Sequence, residues 1–351
     1  MGFAVNRGKV ILNNWDARQK EVEAMPGVDA DLKKAMSREK YIYLRDGLAR
    51  LIPDATLDER IYAGIIKTIL KKLRRDFFPN PIVRIYMQWK EQLLIMPKLV
   101  KYFKDSKAEN LEMLSKRVSD MGVSGLSDYL STKLDYESEK VELPLSSRFE
   151  QNGALEVTLL FEKHANEYQL LSLAATLRLK DGITRKCSIP EGYGLNINHA
   201  VNLLQGRAVR LARGGQGDSE RWLQLDFDHL DEKGRLPIRE HVPEDAFSLE
   251  KVLAAAARET NYPALADPEV LHALKNGAEV CFRPEQAEAI YLSANPGERT
   301  VAFHDQKQRP IPKMKLQNYF SMNHSAGRQQ QVSVIKLGKN ISTHQHQGLG
   351  L

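Results

Sequence analysis

Cysteine is scarce in this chain: only Cys187 and Cys281 occur among 351 residues. Two cysteines exclude a disulfide-rich framework of the kind that stabilises small secreted domains. The two thiols could pair in principle, but each lies in an apolar, strand-like segment, where isolated cysteines are most often buried. We therefore expect two buried free thiols.

Long hydrophobic runs are also absent. No segment approaches the roughly 18 uninterrupted apolar residues of a membrane-spanning helix, and residues 1 to 7 lack the apolar core of a secretory signal. The content of 42% hydrophobic and 27% charged residues is typical of soluble globular proteins, so we expect a cytoplasmic protein. A chain of 351 residues exceeds what one hydrophobic core usually serves, which favours two domains.

Motifs of enzyme chemistry are few and incomplete. The glycines of 214 to 217 lack the Lys-Ser/Thr of a phosphate-binding loop, and no helix is predicted after them, so we interpret this segment as a hairpin turn. His324, His344 and His346 are too few for a zinc site, which usually needs four ordered ligands. The sequence therefore predicts no enzymatic activity, no cofactor and no metal.

Charge, in contrast, is unevenly distributed. Residues 1 to 150 carry a net charge of +5, residues 151 to 300 carry −5, and the remainder carries +6. The strongest concentration lies between Arg60 and Lys104, where eleven Lys and Arg side chains occur with only Asp76 and Glu91, a net charge of +9. Such a segment predicts an anionic partner. An alternative is that the acidic middle of the chain attracts the basic segment within one molecule.

The basic segment has the pattern of an amphipathic helix from about Asp58, as its cap, to Phe78. Apolar residues recur every four positions along one side, which predicts a packed face: Ile61, Ile65, Ile69, Leu73 and Phe77. Most basic residues fall on the opposite face: Arg60, Lys67, Lys71, Arg74 and Arg75. We predict that these five and Lys72 bind nucleic acid.

A second helix is predicted from Ile82 to Met96. Pro79 and Pro81 separate it from the first, and Pro97 is expected to break or kink it. Its apolar stripe, and the nearby aromatic residues, are interpreted as packing residues; they are Phe77, Phe78, Ile82, Ile85, Tyr86, Trp89, Leu93, Tyr102 and Phe103. Ser127 is predicted to cap a short helix that ends at Lys133.

After residue 140 the pattern changes to alternating strands and short helices. We predict strands at 154 to 161, 167 to 178, 183 to 189, 208 to 212, 221 to 227, 236 to 241, 279 to 282, 289 to 293 and 300 to 304. Asn196, Ser248 and Asp267 are predicted helix caps. The fold class is therefore α+β: a helical basic domain (1–140), an α+β domain with mainly antiparallel sheet (150–312), and a flexible basic tail (313–351).

Several residues of the second domain recur in a known order. The runs Asn202-Leu203-Leu204-Gln205-Gly206-Arg207-Ala208-Val209 and Trp222-Leu223-Gln224-Leu225-Asp226-Phe227, with Ala294-Asn295-Pro296 before Thr300-Val301-Ala302-Phe303, resemble the domain of unknown function 3945 family. Members of that family occur on conjugative and mobilisable elements of Bacteroides-type bacteria. The resemblance covers about residues 154 to 312 and implies a mobile-element context, with no agreed activity.

Within those runs, Arg207 follows a helix end, where an arginine can clamp a phosphate. The simpler interpretation is that Gly206 caps the helix and that Arg207 pairs with an acid on a neighbouring strand. We expect Trp222 to lie in the core and Asp226 to accept a hydrogen bond from a turn amide.

Three functional hypotheses follow. The first is an accessory protein of a mobile genetic element that binds DNA through phosphate contacts, with little sequence specificity, and docks a protein partner through the α+β domain. The second is a protein-protein adaptor without nucleic-acid binding. The third, a helix on an anionic membrane, is ranked last because the apolar face of 61 to 77 is expected to pack internally. A plain solvated helix surface is the alternative to all three.

Overall fold

The computed structural model describes residues 5–26, 29–149, 153–179, 182–211, 221–241, 248–283, 288–312, 316 and 332–334. Within these ranges the chain has the expected α+β architecture, with helices first and antiparallel sheets after them. The predicted turn at 214–217, the histidines at 324, 344 and 346, and nearly all of the predicted flexible tail lie outside the described residues.

Three helices form the first part of the fold: α1 (Arg7–Glu23), α2 (Ala30–Leu51) and α3 (Leu57–Phe77). Each begins at a side chain that accepts a hydrogen bond from a free amide of the first turn, namely Asn6, Asp29 and Thr56. Their shared core consists of Ile11, Leu44, Leu48, Leu51, Ala63, Ile66 and Leu70.

The next helices are α4 (Pro81–Lys90), α5 (Met96–Asp120) and α6 (Ser127–Lys133). A π-helical turn, Glu91–Ile95, joins α4 to α5, so the backbone is helical from Pro81 to Asp120. Pro97 does not end this helix. Pro97 comes just after the π turn. The wider turn leaves room for the proline ring and does not need the amide hydrogen that proline lacks.

A four-stranded antiparallel sheet follows, in the order β1 (Lys140–Phe149), β2 (Gly153–His164), β3 (Glu167–Arg178) and β4 (Thr184–Pro190). The strand β1 was not predicted from the sequence. It contains Pro144, which an edge strand tolerates because one of its sides needs no amide donors. Alternate residues of β3 are buried, as the sequence pattern indicates.

The second half of α5 packs on this sheet together with α6. Leu114 and Val118 of α5 and Leu130 of α6 share one hydrophobic cluster with the buried face of the sheet. Asn110 of α5 fastens the two layers, because its side chain bonds both the backbone amide (3.0 Å) and the carbonyl (2.9 Å) of Tyr168 at the start of β3. The sheet therefore takes part of its core from the helical half.

The rest of the chain adds α7 (Ile197–Leu204) and a three-stranded antiparallel sheet of β5 (Val209–Leu211), β6 (Arg221–Leu225) and β7 (Ile238–His241). Two helices, α8 (Leu249–Thr260) and α9 (Pro268–Lys275), come next. A third sheet has the order β10 (Thr300–His304), β9 (Ile290–Asn295), β8 (Val280–Phe282) and β11 (Val332–Val334).

Hydrophobic packing follows three clusters rather than two. The first belongs to α1 to α3. The second joins α5, α6, the four-stranded sheet, α7, β5 and β6, and the third joins α8 and α9 to β8, β9 and β10. The second cluster spans the predicted boundary at 140 to 150, and independent folding of the two predicted domains stays a prediction.

Two local expectations about helix starts are wrong. The helix α3 is capped by Thr56 rather than Asp58, because Thr56 and Glu59 form a reciprocal capping box. The helix α6 begins at Ser127, and its cap position is Leu126, without a side-chain hydrogen bond. Cys187 and Cys281 are buried free thiols, as expected. Among the described helices, none has the length and apolar content to cross a membrane.

Candidate nucleic-acid interface

The packed face of α3 overlaps only in part with the face that the sequence pattern indicates, since Ile69, Leu73 and Phe77 are half-buried. Ile61 and Ile65 of the predicted apolar stripe are 66% and 42% exposed. The helix instead buries Ala63, Ile66 and Leu70 against α1 and α2. Which isoleucine is buried therefore depends on its direction on the helix, since Ile66 lies in the core while Ile61 and Ile65 do not.

Five of the six predicted binding residues lie on the solvent side of α3: Arg60, Lys67, Lys71, Lys72 and Arg75. None of them forms an ion pair with another described residue. At 100° per residue, Arg60, Lys67, Lys71 and Arg75 fall within about a quarter of the helix circumference. The structure therefore brings these four together on one face, with Lys72 to one side.

Arg74, the sixth predicted residue, turns inward. Its guanidinium lies 2.6 Å from the carboxylate of Glu91, and their side chains are 12% and 8% exposed. Tyr41 of α2 donates its hydroxyl hydrogen to the same carboxylate, and burial together with this bond raises the pKa of Tyr41 to about 12. Arg74 also donates to the Tyr41 oxygen. Its charge is thus neutralised within the fold.

The helix α4 has no buried residue. The side chains interpreted from the sequence as its packing stripe are instead exposed: Ile82 (77%), Ile85 (55%), Tyr86 (64%), Trp89 (64%) and Leu93 (70%). Asn80 caps the helix and Pro81 occupies its first position, so the local signals for a helix are strong. The stripe exists, but no described element covers it.

The helix α4 is held at its C-terminal end by Glu91, the first residue of the π turn. Glu91 begins this turn and is 6% exposed, while the following Gln92, Leu93 and Leu94 are exposed. Its contacts with Arg74 and Tyr41 therefore fasten the junction between α4 and α5 to both α2 and α3. One internal ion pair fixes the direction of the exposed stripe relative to the cations of α3.

Cations continue along α4 and α5. Arg84, Lys90, Lys98, Lys101 and Lys104 form no ion pair with a described residue, and all but the half-buried Arg84 are exposed. Together with the five cations of α3 they make ten charges, which we call the basic surface. Of the two acids between Arg60 and Lys104, Glu91 is paired internally with Arg74, and Asp76 is the one that stays exposed.

Arginines elsewhere in the helical half behave differently. Arg7 lies 2.9 Å from Glu59, Arg50 lies 2.7 Å from Glu137, and Arg117 pairs with Glu191. The hydrogen bond from Arg7 lowers the pKa of Glu59 to about 2. These three arginines pair with acids of distant elements, whereas the ten cations of the basic surface have no such partner among the described residues.

The exposure of Tyr86, Trp89 and Tyr102 is what sequence reasoning missed. These residues are 58 to 64% exposed, whereas Phe77, Phe78 and Phe103 are half-buried as expected. Helical spacing alone carried no signal for this difference, because an apolar stripe has the same period whether or not a second helix covers it.

The remaining candidate residues have structural roles. Gly206 follows α7 with φ of +90°, and Arg207 lies 3.5 Å from Glu279, next to β8. Trp222 is fully buried, and Asp226 accepts a hydrogen bond from the amide of Asp228. All four agree with the simpler interpretation. Among the described residues there is no group of three or more His, Cys, Asp or Glu side chains that could hold a metal.

The description of the fold and of the basic surface rests on the structure of this chain alone. The predicted resemblance of residues 154 to 312 to the mobile-element family remains a prediction. Comparison of the chain with protein-family models, with curated proteins and with solved structures finds no match.

Proposed function

We propose that this protein binds nucleic acid through the basic surface of α3, α4 and α5. The observation that carries the proposal is the set of ten cations that have no ion-pair partner among the described residues, in a segment with one exposed acid. Phosphates are the polyanion that such a surface fits, since each contact releases condensed counterions from the nucleic acid.

The chemistry of α3 favours phosphate contacts over base reading. Most of its exposed polar side chains are Lys and Arg, and it contains no Asn or Gln, the residues that pair with adenine edges. Contacts of this kind fix a protein on the phosphate backbone without carrying sequence information. The binding is therefore of low sequence specificity.

The α+β domain is the proposed site for a protein partner. Phe227 and Leu230, in the loop after β6, are 41% and 65% exposed, an apolar pair that supports this assignment. An accessory role on a mobile genetic element rests on the sequence resemblance alone, and the proposed cytoplasmic location rests on the composition of the chain.

The test is fluorescence anisotropy with labelled DNA across a salt series. The variant carries Lys67→Glu, Lys71→Glu and Arg75→Glu, and the matched control carries the same charge change at Lys186, Lys233 and Lys251, all exposed in the α+β domain. The logarithm of affinity falls with the logarithm of salt concentration, with a slope of about −0.7 to −0.9 per phosphate contact. Losing three contacts should therefore make this slope less steep by about 2 to 3.

Binding at low salt that is lost in the α3 variant and kept in the control supports the proposal. No binding at low salt refutes it, and so does equal weakening in the variant and the control. Circular dichroism checks that both variants keep the helix content of the parent protein.

A protein-protein adaptor without nucleic-acid binding is the second candidate. It is favoured by the aliphatic side chains Ile82 and Ile85, which phosphates do not need. Binding of a defined protein that survives high salt, together with absent DNA binding, would support the adaptor instead.

A further inference from the structure

Two aromatic side chains of α4 lie in sequence between Arg84 and Lys90, two cations of the basic surface. Tyr86 and Trp89 are three residues apart, so their Cβ atoms are about 5 to 6 Å from each other on one side of the helix. Each is 64% exposed. Ile82 and Ile85 belong to the same side of the helix, and Lys90 follows the aromatic pair directly.

Exposed aromatic rings next to cations distinguish one form of nucleic acid from another. In a duplex, the faces of the bases are covered by their stacked neighbours, and a binding protein meets mainly phosphates and groove edges. In a single strand the faces are free, and proteins bind them by stacking on aromatic side chains beside a row of Lys and Arg. Ile82 and Ile85 extend the apolar surface available to base faces and sugars.

Packing against the residues that the structure describes does not account for these side chains. No residue of α4 is buried, and neither Tyr86 nor Trp89 takes part in a ring-ring contact with another described residue. The ion pair of Arg74 with Glu91 holds the end of α4 next to α3. Rings and phosphate-binding cations are therefore fixed relative to one another before a ligand arrives.

We infer that the physiological ligand of the basic surface is single-stranded nucleic acid, with Tyr86 and Trp89 as the stacking platform. The inference rests on the proposed nucleic-acid binding and adds the strand form and the residues that select it. Cations supply the attraction to either form. The aromatic pair adds affinity for the single strand alone.

Intrinsic fluorescence gives a direct readout of stacking. The chain has three tryptophans, and two of them are buried: Trp15 is 2% exposed and Trp222 is fully buried. Fluorescence that oligothymidylate quenches therefore comes from Trp89. In Trp89→Phe this saturable quenching should disappear, while anisotropy with labelled oligothymidylate still reports binding.

Affinity is then compared for oligothymidylate and for a hairpin duplex of equal phosphate number. Tyr86→Ala with Trp89→Ala should weaken single-strand binding by about 30-fold or more, since each of the two stacked bases contributes about 1 to 3 kcal/mol. Duplex affinity should change less than about twofold. Tyr86→Phe with Trp89→Phe, the matched control, keeps the rings and should retain single-strand affinity.

The outcomes separate this inference from the proposed function. If the protein binds both forms but the alanine variant weakens them equally, or if Trp89 is not quenched, the stacking inference is overturned and phosphate binding stands. If neither form binds, the proposed function fails as well. A blue shift of Trp89 emission with anionic phosphatidylserine vesicles, without quenching by oligothymidylate, would assign the stripe to a lipid surface and overturn the inference.

Discussion

Arg74 and Arg75 are adjacent in sequence but have opposite surroundings, and this difference gives a sharp test of the structure. Arg74 is 12% exposed and pairs with Glu91, whereas Arg75 is exposed and has no ion-pair partner among the described residues. We predict that Arg74→Ala destabilises the fold with little direct effect on DNA contacts. Arg75→Ala should weaken DNA binding and leave stability unchanged.

The magnitude follows from what Arg74→Ala leaves behind. Glu91 would remain buried with the hydroxyl of Tyr41 as its hydrogen-bond donor. Breaking a buried ion pair by removing one partner costs about 3 to 5 kcal/mol, and the remaining donor places the loss at about 3 kcal/mol. Arg75→Ala should change the free energy of unfolding by no more than about 0.5 kcal/mol, as is usual at exposed positions.

Urea unfolding followed by circular dichroism measures both variants. With a urea dependence of about 2 kcal/mol per molar, Arg74→Ala lowers the midpoint by about 1.5 M. The double variant Arg74→Met with Glu91→Leu removes both charges and should recover stability to within about 1 kcal/mol of the parent protein. Equal unfolding free energies for Arg74→Ala and Arg75→Ala would refute the internal placement of Arg74.

Three further outcomes are expected. Acid should remove the stabilisation from the Arg7–Glu59 pair: because the folded pKa of Glu59 is lowered to about 2, the contribution is complete above about pH 4.5 and is lost as the pH falls through 2. With solvent screening, the pair contributes about 2 kcal/mol to the free energy of unfolding. Urea unfolding of the parent protein and of Glu59→Gln over this pH range measures the contribution. Asn110→Ala should cost about 3 kcal/mol in urea unfolding, because the buried amide and carbonyl of Tyr168 lose their side-chain partner. Gly277→Ala should lower thermal stability by about 2 to 4 kcal/mol, since φ is +75° and an added Cβ would lie 2.9 Å from a backbone oxygen.

Controls follow from the same contacts. Gly64→Ala places a methyl group on the exposed side of α3, where nothing lies within 4 Å, and should stabilise the protein by about 0.5 to 1 kcal/mol. If the difference in unfolding free energy between Glu59→Gln and the parent protein were the same at every pH, the lowered pKa of Glu59 would be contradicted. An Asn110→Ala variant as stable as the parent would mean that Asn110 does not fasten α5 to β3.

Local signals in the sequence were sufficient for most elements. Asn196, Ser248 and Asp267 are all observed as caps, because a cap needs only its own side chain and the amides of the next turn. The hairpin of β2 and β3 was predicted for a similar reason. Its strands alternate in polarity and are joined by a short turn.

Burial could not be predicted in the same way. The stripes containing Ile61 and Ile85 have the period of a packed face, but which face packs depends on the positions of other helices. Arg74 resembled its basic neighbours because Glu91, its partner, is separated from it by a proline-containing turn and one whole helix. The sequence pattern therefore indicated the exposed cations of α3, while the inward position of Arg74 and the exposed rings of α4 required the structure.

The continuous helical backbone from Pro81 to Asp120 has a mechanical consequence. It spans 40 residues, or about 60 Å at the rise of an α-helix. One end is the uncovered α4, and the other, through Leu114 and Val118, is part of the core beneath the four-stranded sheet. Because Glu91 in the π turn is bonded to Tyr41 and Arg74, a force applied to α4 would be shared between the three-helix core and the four-stranded sheet.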